Sequence, residues 1–225
     1  MPVTAETTAR ELVEVLREHG ATRAEIRLEQ WDGRRVVVKD FGVGTWALRL
    51  IGLVLMAREW RAHRRLVGVP GIPACLRRER WRLTFECVEG APMPLADPEA
   101  LTPEYFARLY DLVREMHARG VAHGDLKSRN NVLVDINGLP AVVDFSAAFT
   151  LGRNPVEALV VPYLKVEDLR AIGKAKLRSA PHLLTAEEEQ LLAHRPPFVR
   201  AATAFLHQVR LLIKRVSAMA HRGMK

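Results

Sequence analysis

Residues 123–135 read His123-Gly124-Asp125-Leu126-Lys127-Ser128-Arg129-Asn130-Asn131-Val132-Leu133-Val134-Asp135, a polar loop that runs into an apolar strand. A second apolar run, Ala141-Val142-Val143, ends in Asp144-Phe145. Phosphoryl transfer depends on positioning and charge neutralisation, and it uses an Asp to orient the attacking hydroxyl and Asn and Asp oxygens to bind Mg²⁺. The order and spacing of these residues therefore predict a phosphoryl-transfer site.

The polar residues of this stretch have separate predicted roles. Asp125 is placed to hold the acceptor hydroxyl in line and accept its proton, and Lys127 to approach the transferred phosphoryl group. Asn130 and Asp144 supply hard oxygen ligands for Mg²⁺, which takes few protein oxygens. His123 is expected to brace the loop. The alternative is a polar loop between two strands whose acids serve only as turn residues.

The His-Gly-Asp form of the loop resembles the protein-kinase-like superfamily and is similar to RIO kinases, aminoglycoside phosphotransferases and bacterial lipopolysaccharide kinases. The resemblance covers roughly residues 24–175. It implies ATP and Mg²⁺ as cofactors and an α+β, reduced two-lobed protein-kinase-like fold, with a small β-rich N-lobe and a helical C-lobe. Ordinary protein kinases carry Arg in place of Gly124 and Gly in place of Ser146. Without that Arg, control through a phosphorylated activation loop is not expected.

The resemblance also implies ATP-binding residues upstream. Residues 35–38 read as a strand that ends in Lys39, which would bind the α- and β-phosphates. Glu59, inside a helical pattern, would be its ion-pair partner. Taken alone, both residues could equally be surface charges.

The stretch Leu83–Gly90 resembles the last N-lobe strand and the hinge that follows it. Phe85 would lie beside the adenine, and the backbone of Glu86 and Val88 would hydrogen-bond its edge. The alternative is a plain strand followed by a Pro-containing loop.

Asp168 and Gly173 match the Asp-x-x-x-x-Gly spacing of a kinase helix whose Asp bonds the catalytic-loop backbone. Asp168 is therefore expected to be a structural support, buried and hydrogen-bonded, because an unpaired buried carboxylate is costly. The alternative is an ordinary acid in the first turn of a helix.

No G-x-G-x-x-G motif precedes Lys39. Asp32-Gly33 instead predicts a tight hairpin into the Lys39 strand. Gly42 and Gly44 follow the Lys, and the run from Lys39 to Leu66 resembles the small lobe of lipopolysaccharide core kinases. Those enzymes phosphorylate Kdo or heptose sugars of a membrane glycolipid. The phosphate-covering loop stays unassigned.

The segment that follows the second strand is short. Only 21 residues separate Ser146 from Asp168, and no Ala-Pro-Glu occurs among them. A peptide-docking platform is therefore missing or very short. This favours a small or lipid-linked acceptor over selective protein phosphorylation.

The formal charge of +8 and the pI of about 10.0 favour acidic partners. Eight arginines crowd one stretch: Arg58, Arg61, Arg64, Arg65, Arg77, Arg78, Arg80 and Arg82. An anionic membrane surface or a phosphorylated glycolipid would use them. RNA is the rival partner, although no aromatic-rich RNA-binding signature supports it. A solvated basic surface is the third reading.

The chain is expected to form one kinase-like domain over residues 1–225, with an N-terminal helix at 1–23, an N-lobe at 24–90 and a C-lobe at 91–225. The N-lobe would contain strands around 25–30, 35–41 and 82–88 and a helix near 46–66. In the C-lobe, Asn137-Gly138 predicts a hairpin between two short strands, and the first helix would have an apolar core face of Phe106, Leu109, Leu112, Val113 and Met116. A composition of 225 residues with 48% apolar content supports one core or two small lobes. The apolar face of the N-terminal helix would be Leu12, Val13, Val15 and Leu16. Residues 198–216 predict a basic amphipathic helix, which could lie on a membrane or pack on the C-lobe.

The expected location is the cytoplasm, with peripheral association to the inner membrane face as an option. The start of the chain lacks the features of a signal peptide, and two cysteines do not suggest a disulfide framework. No transmembrane segment is expected. The most apolar run, residues 46–56, is interrupted by Arg49 and would be either core or a membrane-interface segment.

Three functions follow from these patterns. The first is an ATP- and Mg²⁺-dependent kinase for a sugar hydroxyl of a lipopolysaccharide core or related glycolipid. The second is a RIO-like atypical Ser/Thr protein kinase. The third is a nucleotide-binding scaffold without turnover, suggested by Ser146 and the missing Gly-rich loop. The full set of expected kinase residues speaks against this last reading: Lys39, Glu59, Asp125, Asn130 and Asp144.

Overall fold

The computed structural model describes residues 10–18, 24–43, 45–152 and 155–193. The chain has an α+β fold, β-rich in its N-terminal region and helical in its C-terminal part, as predicted. It divides into two compact units. Unit 1 comprises Met1–Met56 and Ala74–Cys87, and unit 2 comprises Ala57–Pro73 and Val88–Lys225.

Unit 1 contains a five-stranded antiparallel sheet with the strand order β1-β2-β3-β5-β4. Its strands are β1 (Arg10–Arg17), β2 (Glu25–Trp31), β3 (Arg34–Asp40), β4 (Cys75–Arg78) and β5 (Arg82–Glu86). Strands β3 and β5 supply buried apolar side chains, including Val36, Val38, Leu83 and Phe85. The three strands predicted near 25–30, 35–41 and 82–88 are confirmed.

The predicted hairpin between β2 and β3 is also confirmed. Asp32 and Gly33 have φ angles of 47° and 80°, the left-handed pair that a tight two-residue turn requires. The strands on either side pair without a break from Glu25 opposite Asp40 to Trp31 opposite Arg34. Lys39 therefore has a fixed position near the end of a regular strand.

The predicted N-terminal helix is wrong where the structure describes it. Residues 10–17 form β1, which pairs antiparallel with β2 along its length. The apolar spacing resembles a helix face, but β-branched Val13 and Val15 suit a strand, and pairing with β2 satisfies the backbone. The apolar side chains predicted as a packing face are about half exposed. Residues 1–9 and 19–23 of that prediction lie outside the described residues.

Helix α1 (Trp46–Arg65) confirms the helix predicted near 46–66 and spans the boundary between the units. Its second half is buried at Glu59, Ala62 and His63. Within its first half, Trp46 is 75% exposed, and Leu50 and Val54 are each 54% exposed. These three residues recur every four positions and share one helix face. We call them the α1 apolar stripe.

Helix α2 (Pro103–Ala118) opens the helical part of unit 2. Thr102 caps it, because its Oγ1 accepts a hydrogen bond from the Tyr105 N–H at 3.1 Å. The apolar face predicted from the sequence is buried: Phe106, Leu109, Leu112, Val113 and Met116. These side chains form the centre of the unit 2 core.

Short strands surround the predicted phosphoryl-transfer loop. They are β6 (Gly90–Pro92), β7 (Val121–Ala122), β8 (Val132–Asp135), β9 (Pro140–Val142) and β10 (Phe149–Thr150). Strands β6, β8 and β9 form one sheet, and β7 pairs with β10. The predicted Asn137-Gly138 hairpin joins β8 to β9, and Asp135 Oδ1 accepts the Asn137 and Leu139 N–H groups at 2.8 and 2.7 Å.

Two helices complete the described part of unit 2: α3 (Pro155–Ser179) and α4 (Ala186–Ala193). A buried ion pair joins them, since Lys176 Nζ lies 3.0 and 2.9 Å from the two Glu188 oxygens. The predicted amphipathic helix at 198–216 lies outside the described residues. None of the described helices is long and apolar enough to span a membrane.

Replacing Thr102 with Ala is expected to lower the free energy of unfolding by about 1 kcal/mol, because the Tyr105 N–H loses its acceptor. Urea unfolding followed by circular dichroism measures the change. Thr102→Ser keeps a hydroxyl oxygen and serves as the matched control. An equal loss in both variants would show that the hydroxyl is not the stabilising group.

Candidate active site

The predicted catalytic loop leaves β7 at His123 and enters β8 at Val132. His123 is fully buried, and its Nε2 lies 3.0 Å from the Val143 carbonyl oxygen. Its Nδ1 accepts a hydrogen bond from the Asp125 N–H at 3.3 Å. Because a carbonyl can only accept, Nε2 is the ring nitrogen that donates to Val143. The ring also packs on Phe145, with centroids 4.8 Å apart.

Asp168 receives three hydrogen bonds beneath this loop. Oδ2 accepts the His123 N–H at 2.7 Å, and Oδ1 accepts the Gly124 N–H at 2.9 Å. His117 Nε2 lies 3.1 Å from Oδ2. Asp168 is 1% exposed and lies in the middle of α3, so its predicted burial and hydrogen bonding are confirmed. The alternative, an acid in the first turn of a helix, is wrong.

The backbone at Gly124 explains why no Arg follows His123. Gly124 has a φ of 77°, a left-handed backbone conformation that residues other than glycine rarely adopt. A Cβ built at this position would lie 3.0 Å from the Ala147 carbonyl oxygen. A larger residue would therefore be strained in the loop conformation of this chain.

Asp125 is held through its own carbonyl group. The Ser128 N–H donates to the Asp125 carbonyl at 3.1 Å, and Asn131 Nδ2 donates to the same oxygen at 3.0 Å. The Asn131 side chain, which is buried, was not singled out in the sequence. Its position directly after Asn130 and before an apolar strand is the signal that could have identified it. Together the two bonds fix the backbone that presents the Asp125 carboxylate.

The β8–β9 pairing brings the predicted metal ligands to one end of a hairpin. Val132 pairs with Val142, and the Val143 N–H donates to the Asn131 carbonyl at 3.0 Å. Asn130 precedes Asn131 and Asp144 follows Val143, so the two predicted ligands adjoin the same open end of the hairpin. Asp144 itself has a φ of 65°, and Ser146 Oγ donates to its Oδ1 at 2.8 Å.

This donor set suits Mg²⁺, which binds through one or two carboxylates together with substrate phosphates and water. An amide oxygen and a carboxylate at one hairpin end are hard oxygen ligands of the required kind. Within the described ranges, no group of three or more His, Cys, Asp or Glu residues could hold a metal ion. A zinc-type site built wholly from protein ligands is therefore not found there.

The ATP-binding residues predicted in unit 1 lie on β3 and β5. Lys39 is buried opposite Leu83, and its Nζ lies 5.6 Å from the centre of the Phe85 ring. The Glu86 N–H donates to the Ala74 carbonyl at 3.0 Å and is therefore already used within this unit.

The remaining predicted site residues belong to unit 2. Glu59 is fully buried on α1, and Val88 follows the boundary between the units. Asp125 is half-buried and Lys127 is exposed. The ion pair of Lys39 with Glu59 and the adenine contacts of Glu86 and Val88 stay predictions.

Much of the predicted basic cluster has partners inside the chain. Arg82 Nε lies 2.6 Å from Asp40 Oδ2, and this hydrogen bond raises the pKa of Arg82. Arg58 packs over the Phe149 ring at 4.3 Å, and burial lowers its pKa. Further contacts join Arg61 to Glu157, Arg77 to Glu79, Arg65 to the Gly120 carbonyl and Arg80 to Trp81. Intramolecular contacts therefore account for a large part of the cluster.

Comparison with known proteins gives partial matches to protein kinases. The serine/threonine-protein kinase chk1 of Schizosaccharomyces pombe is 25% identical over 132 residues, which are 56% of this chain and 26% of that protein. The serine/threonine-protein kinase PKH3 of Eremothecium gossypii is 43% identical over 56 residues, 25% of this chain and 8% of that protein. No protein-family profile matches the chain.

A third match has no kinase name. The tegument protein UL47 of bovine herpesvirus 1.1 is 28% identical over 159 residues, 71% of this chain and 20% of that protein. The chain thus spans about a quarter or less of the length of each of these three relatives. What the matches show is a partial sequence similarity to Ser/Thr protein kinases.

Replacing Asp168 with Asn is expected to lower the free energy of unfolding by about 2 kcal/mol, because charge-assisted hydrogen bonds to two loop amides are lost. Amide hydrogen exchange at His123 and Gly124 should accelerate in the same variant. Asp111→Asn, on an exposed face of α2, is the matched control. Unchanged exchange at both loop amides would refute the bracing role of Asp168.

Proposed function

We propose that the protein is an ATP- and Mg²⁺-dependent phosphotransferase that phosphorylates an alcohol hydroxyl. The observation that carries the proposal is the geometry of the catalytic loop. A hydrogen-bond network fixes the Asp125 backbone, and Asn130 and Asp144 adjoin the same end of the β8–β9 hairpin in the sequence. The partial similarity to Ser/Thr protein kinases supports the same class of reaction.

In this reaction the hydroxyl oxygen of the acceptor forms a bond to the γ-phosphorus of ATP while the bond from that phosphorus to the bridging oxygen of ADP breaks. The carboxylate of Asp125 orients the hydroxyl and accepts its proton. Lys127, on the same loop, offsets negative charge on the phosphoryl group during transfer. His123 and Asp168 hold the loop that carries both residues.

Asn130 and Asp144 would hold the magnesium ion, which when bound neutralises charge on the phosphate oxygens of ATP. On the nucleotide side, Lys39 would contact the α- and β-phosphates with Glu59 as its partner. Because the Glu86 N–H is already bonded to Ala74, Glu86 would offer adenine its carbonyl group, and Val88 its N–H.

We propose a sugar hydroxyl of a lipopolysaccharide core or related glycolipid as the acceptor, met at a membrane surface. Helix α3 begins at Pro155, so only a short segment follows the 3-10 turn at Phe145–Ala147 and the strand β10. This leaves little chain for a peptide-docking platform. The α1 apolar stripe, with Arg49 beside it, has the composition of a segment that enters a membrane interface.

A protein acceptor is the second candidate, because chk1 and PKH3 are named as serine/threonine-protein kinases. Under this reading the chain would be an atypical kinase of RIO-like character. Fixed-site labelling of Ser or Thr in a cytosolic protein would distinguish it from the glycolipid kinase.

Replacing Asp125 with Ala is expected to lower phosphoryl transfer by about 100-fold or more, because the general base is removed. The measurement is transfer of label from γ-labelled ATP with Mg²⁺ to extracted glycolipid and to cytosolic protein, assayed side by side. Asp111→Ala, an exposed acid on α2, is the matched control.

The two acceptors distinguish the candidate functions. Glycolipid label that disappears in Asp125→Ala supports the carbohydrate kinase, and label in protein alone supports the RIO-like kinase. Retention of the wild-type rate in Asp125→Ala would contradict the base assignment. Nucleotide binding without transfer to either acceptor would favour a scaffold.

Replacing Asp144 with Ala is expected to weaken the binding of Mg²⁺-ATP at least about tenfold, because a charged oxygen ligand is lost. Calorimetric titration with ATP, with and without Mg²⁺, separates the metal-dependent part of the affinity. Ser146→Ala removes only the hydroxyl that donates to Asp144 and should have a smaller effect. Equal Mg²⁺-dependent affinity in Asp144→Ala and wild type would exclude Asp144 as a ligand.

A further inference from the structure

A cavity of about 220 Å³ opens beside the catalytic loop, wholly within unit 2. Its floor is apolar and contains the buried side chains of Met93, Leu126 and Val132. Its polar lining comes from the catalytic loop and from the last turns of α3. We call it the Arg129–Arg178 pocket. Its volume is below that of typical whole-ligand sites and suits one group of a larger ligand.

The charges that line this pocket have one sign. Lys127 and Arg129 come from the loop, Arg178 comes from α3, and Ser128 and Ser179 add hydroxyl groups. Among the residues that the structure describes, none that lines the pocket is acidic. In the described part of the chain, none of the three cations forms an ion pair, in contrast to Arg61, Arg77 and Arg82. A concave site lined by cations of one sign concentrates anions.

The position of Arg178 is fixed by its helix. Its Nε donates to the Lys174 carbonyl at 3.0 Å, which anchors the base of the guanidinium group. The two terminal nitrogens of such a group can donate in parallel to two oxygens of a phosphate or carboxylate. Arg129, on the loop, also lines the pocket and offers a second planar donor set.

The pocket is also linked to the site of phosphoryl transfer. Lys127, predicted to act on the phosphoryl group, is one of its lining residues. The turn from Asp125 to Ser128 is closed by the hydrogen bond from the Ser128 N–H to the Asp125 carbonyl. Arg129 directly follows this turn, so an anion bound to it would be held by the same loop that carries the proposed base.

We propose that the Arg129–Arg178 pocket binds an oxyanion, a phosphate or a carboxylate, that the acceptor carries near the hydroxyl to be phosphorylated. This inference rests on the proposed phosphotransferase function and narrows its substrate to acidic alcohols. Arg129 and Arg178 act here as binding and specificity residues, while Asp125 remains the base. The apolar floor contacts the carbon skeleton that joins the anion to the hydroxyl.

The test is calorimetric binding in the absence of nucleotide, with glucose 6-phosphate, glucuronate, inorganic phosphate and glucose as probes. Wild type should bind the two sugar acids at least tenfold more tightly than glucose. The double variant Arg129→Ala/Arg178→Ala should lose at least tenfold in affinity for both acids. Arg114→Ala, an exposed arginine on α2, should keep the wild-type affinities.

The probe set distinguishes the sources of the anion. Preference for glucose 6-phosphate or for glucuronate identifies the group that the pocket accepts. If inorganic phosphate bound as tightly as either sugar acid, the carbon skeleton would contribute nothing to the affinity. The pocket would then not be a binding site for the acceptor. Circular dichroism checks the fold of the double variant, and Arg129→Ala alone provides the test if that variant does not fold.

Anion binding by the pocket and phosphoryl transfer by the protein can be tested independently. Transfer of label to a glycolipid, together with equal affinities for glucose and its acids, would overturn the anion pocket and leave the kinase in place. Selective anion binding with no transfer to any acceptor would overturn the kinase. Charge reversal in Arg129→Glu/Arg178→Glu should abolish acid binding, and retained binding would exclude this pocket as its location.

Discussion

The carboxylate of Asp168 is the group on which the arrangement of the candidate site depends. Burying a charge is costly unless donors replace its water, and two loop amides and His117 do so here. His117 is itself tied down, since Lys165 Nζ donates to its carbonyl at 2.6 Å. The loop therefore derives its position from a charge on α3, far away in the sequence.

From Asp168, a series of hydrogen bonds fixes the residues of the loop one after another. The amide of His123 is fixed by Asp168, the ring of His123 receives the Asp125 N–H, and the Asp125 carbonyl receives Asn131. Each hydrogen bond positions the group that makes the next one. The Asp125 backbone is therefore held in place without any bond to the Asp125 carboxylate in this series. Preorganisation of this kind leaves the chemical group available for reaction.

Much of the architecture could be predicted from local patterns. The Asp32-Gly33 and Asn137-Gly138 turns and the apolar face of α2 are decided by neighbouring residues, and these predictions are correct. The helix predicted at residues 10–17 is wrong because pairing with β2, a long-range contact, outweighs the local spacing. The role of Asn131 and the shared pocket of Arg129 and Arg178 could not be predicted locally, since each depends on the folded chain.

The edge position of β1 has a consequence for the behaviour of the protein in solution. Within the described sheet, β1 pairs on one side only, and Leu12, Val13, Val15 and Leu16 are about half exposed along it. An apolar edge of this kind invites strand addition between molecules. Charged residues flank and interrupt it: Arg10, Glu11, Glu14 and Arg17. Charged side chains on an edge strand oppose strand addition, because an added strand would remove them from water. We therefore expect these four residues to matter more for colloidal stability than for folding.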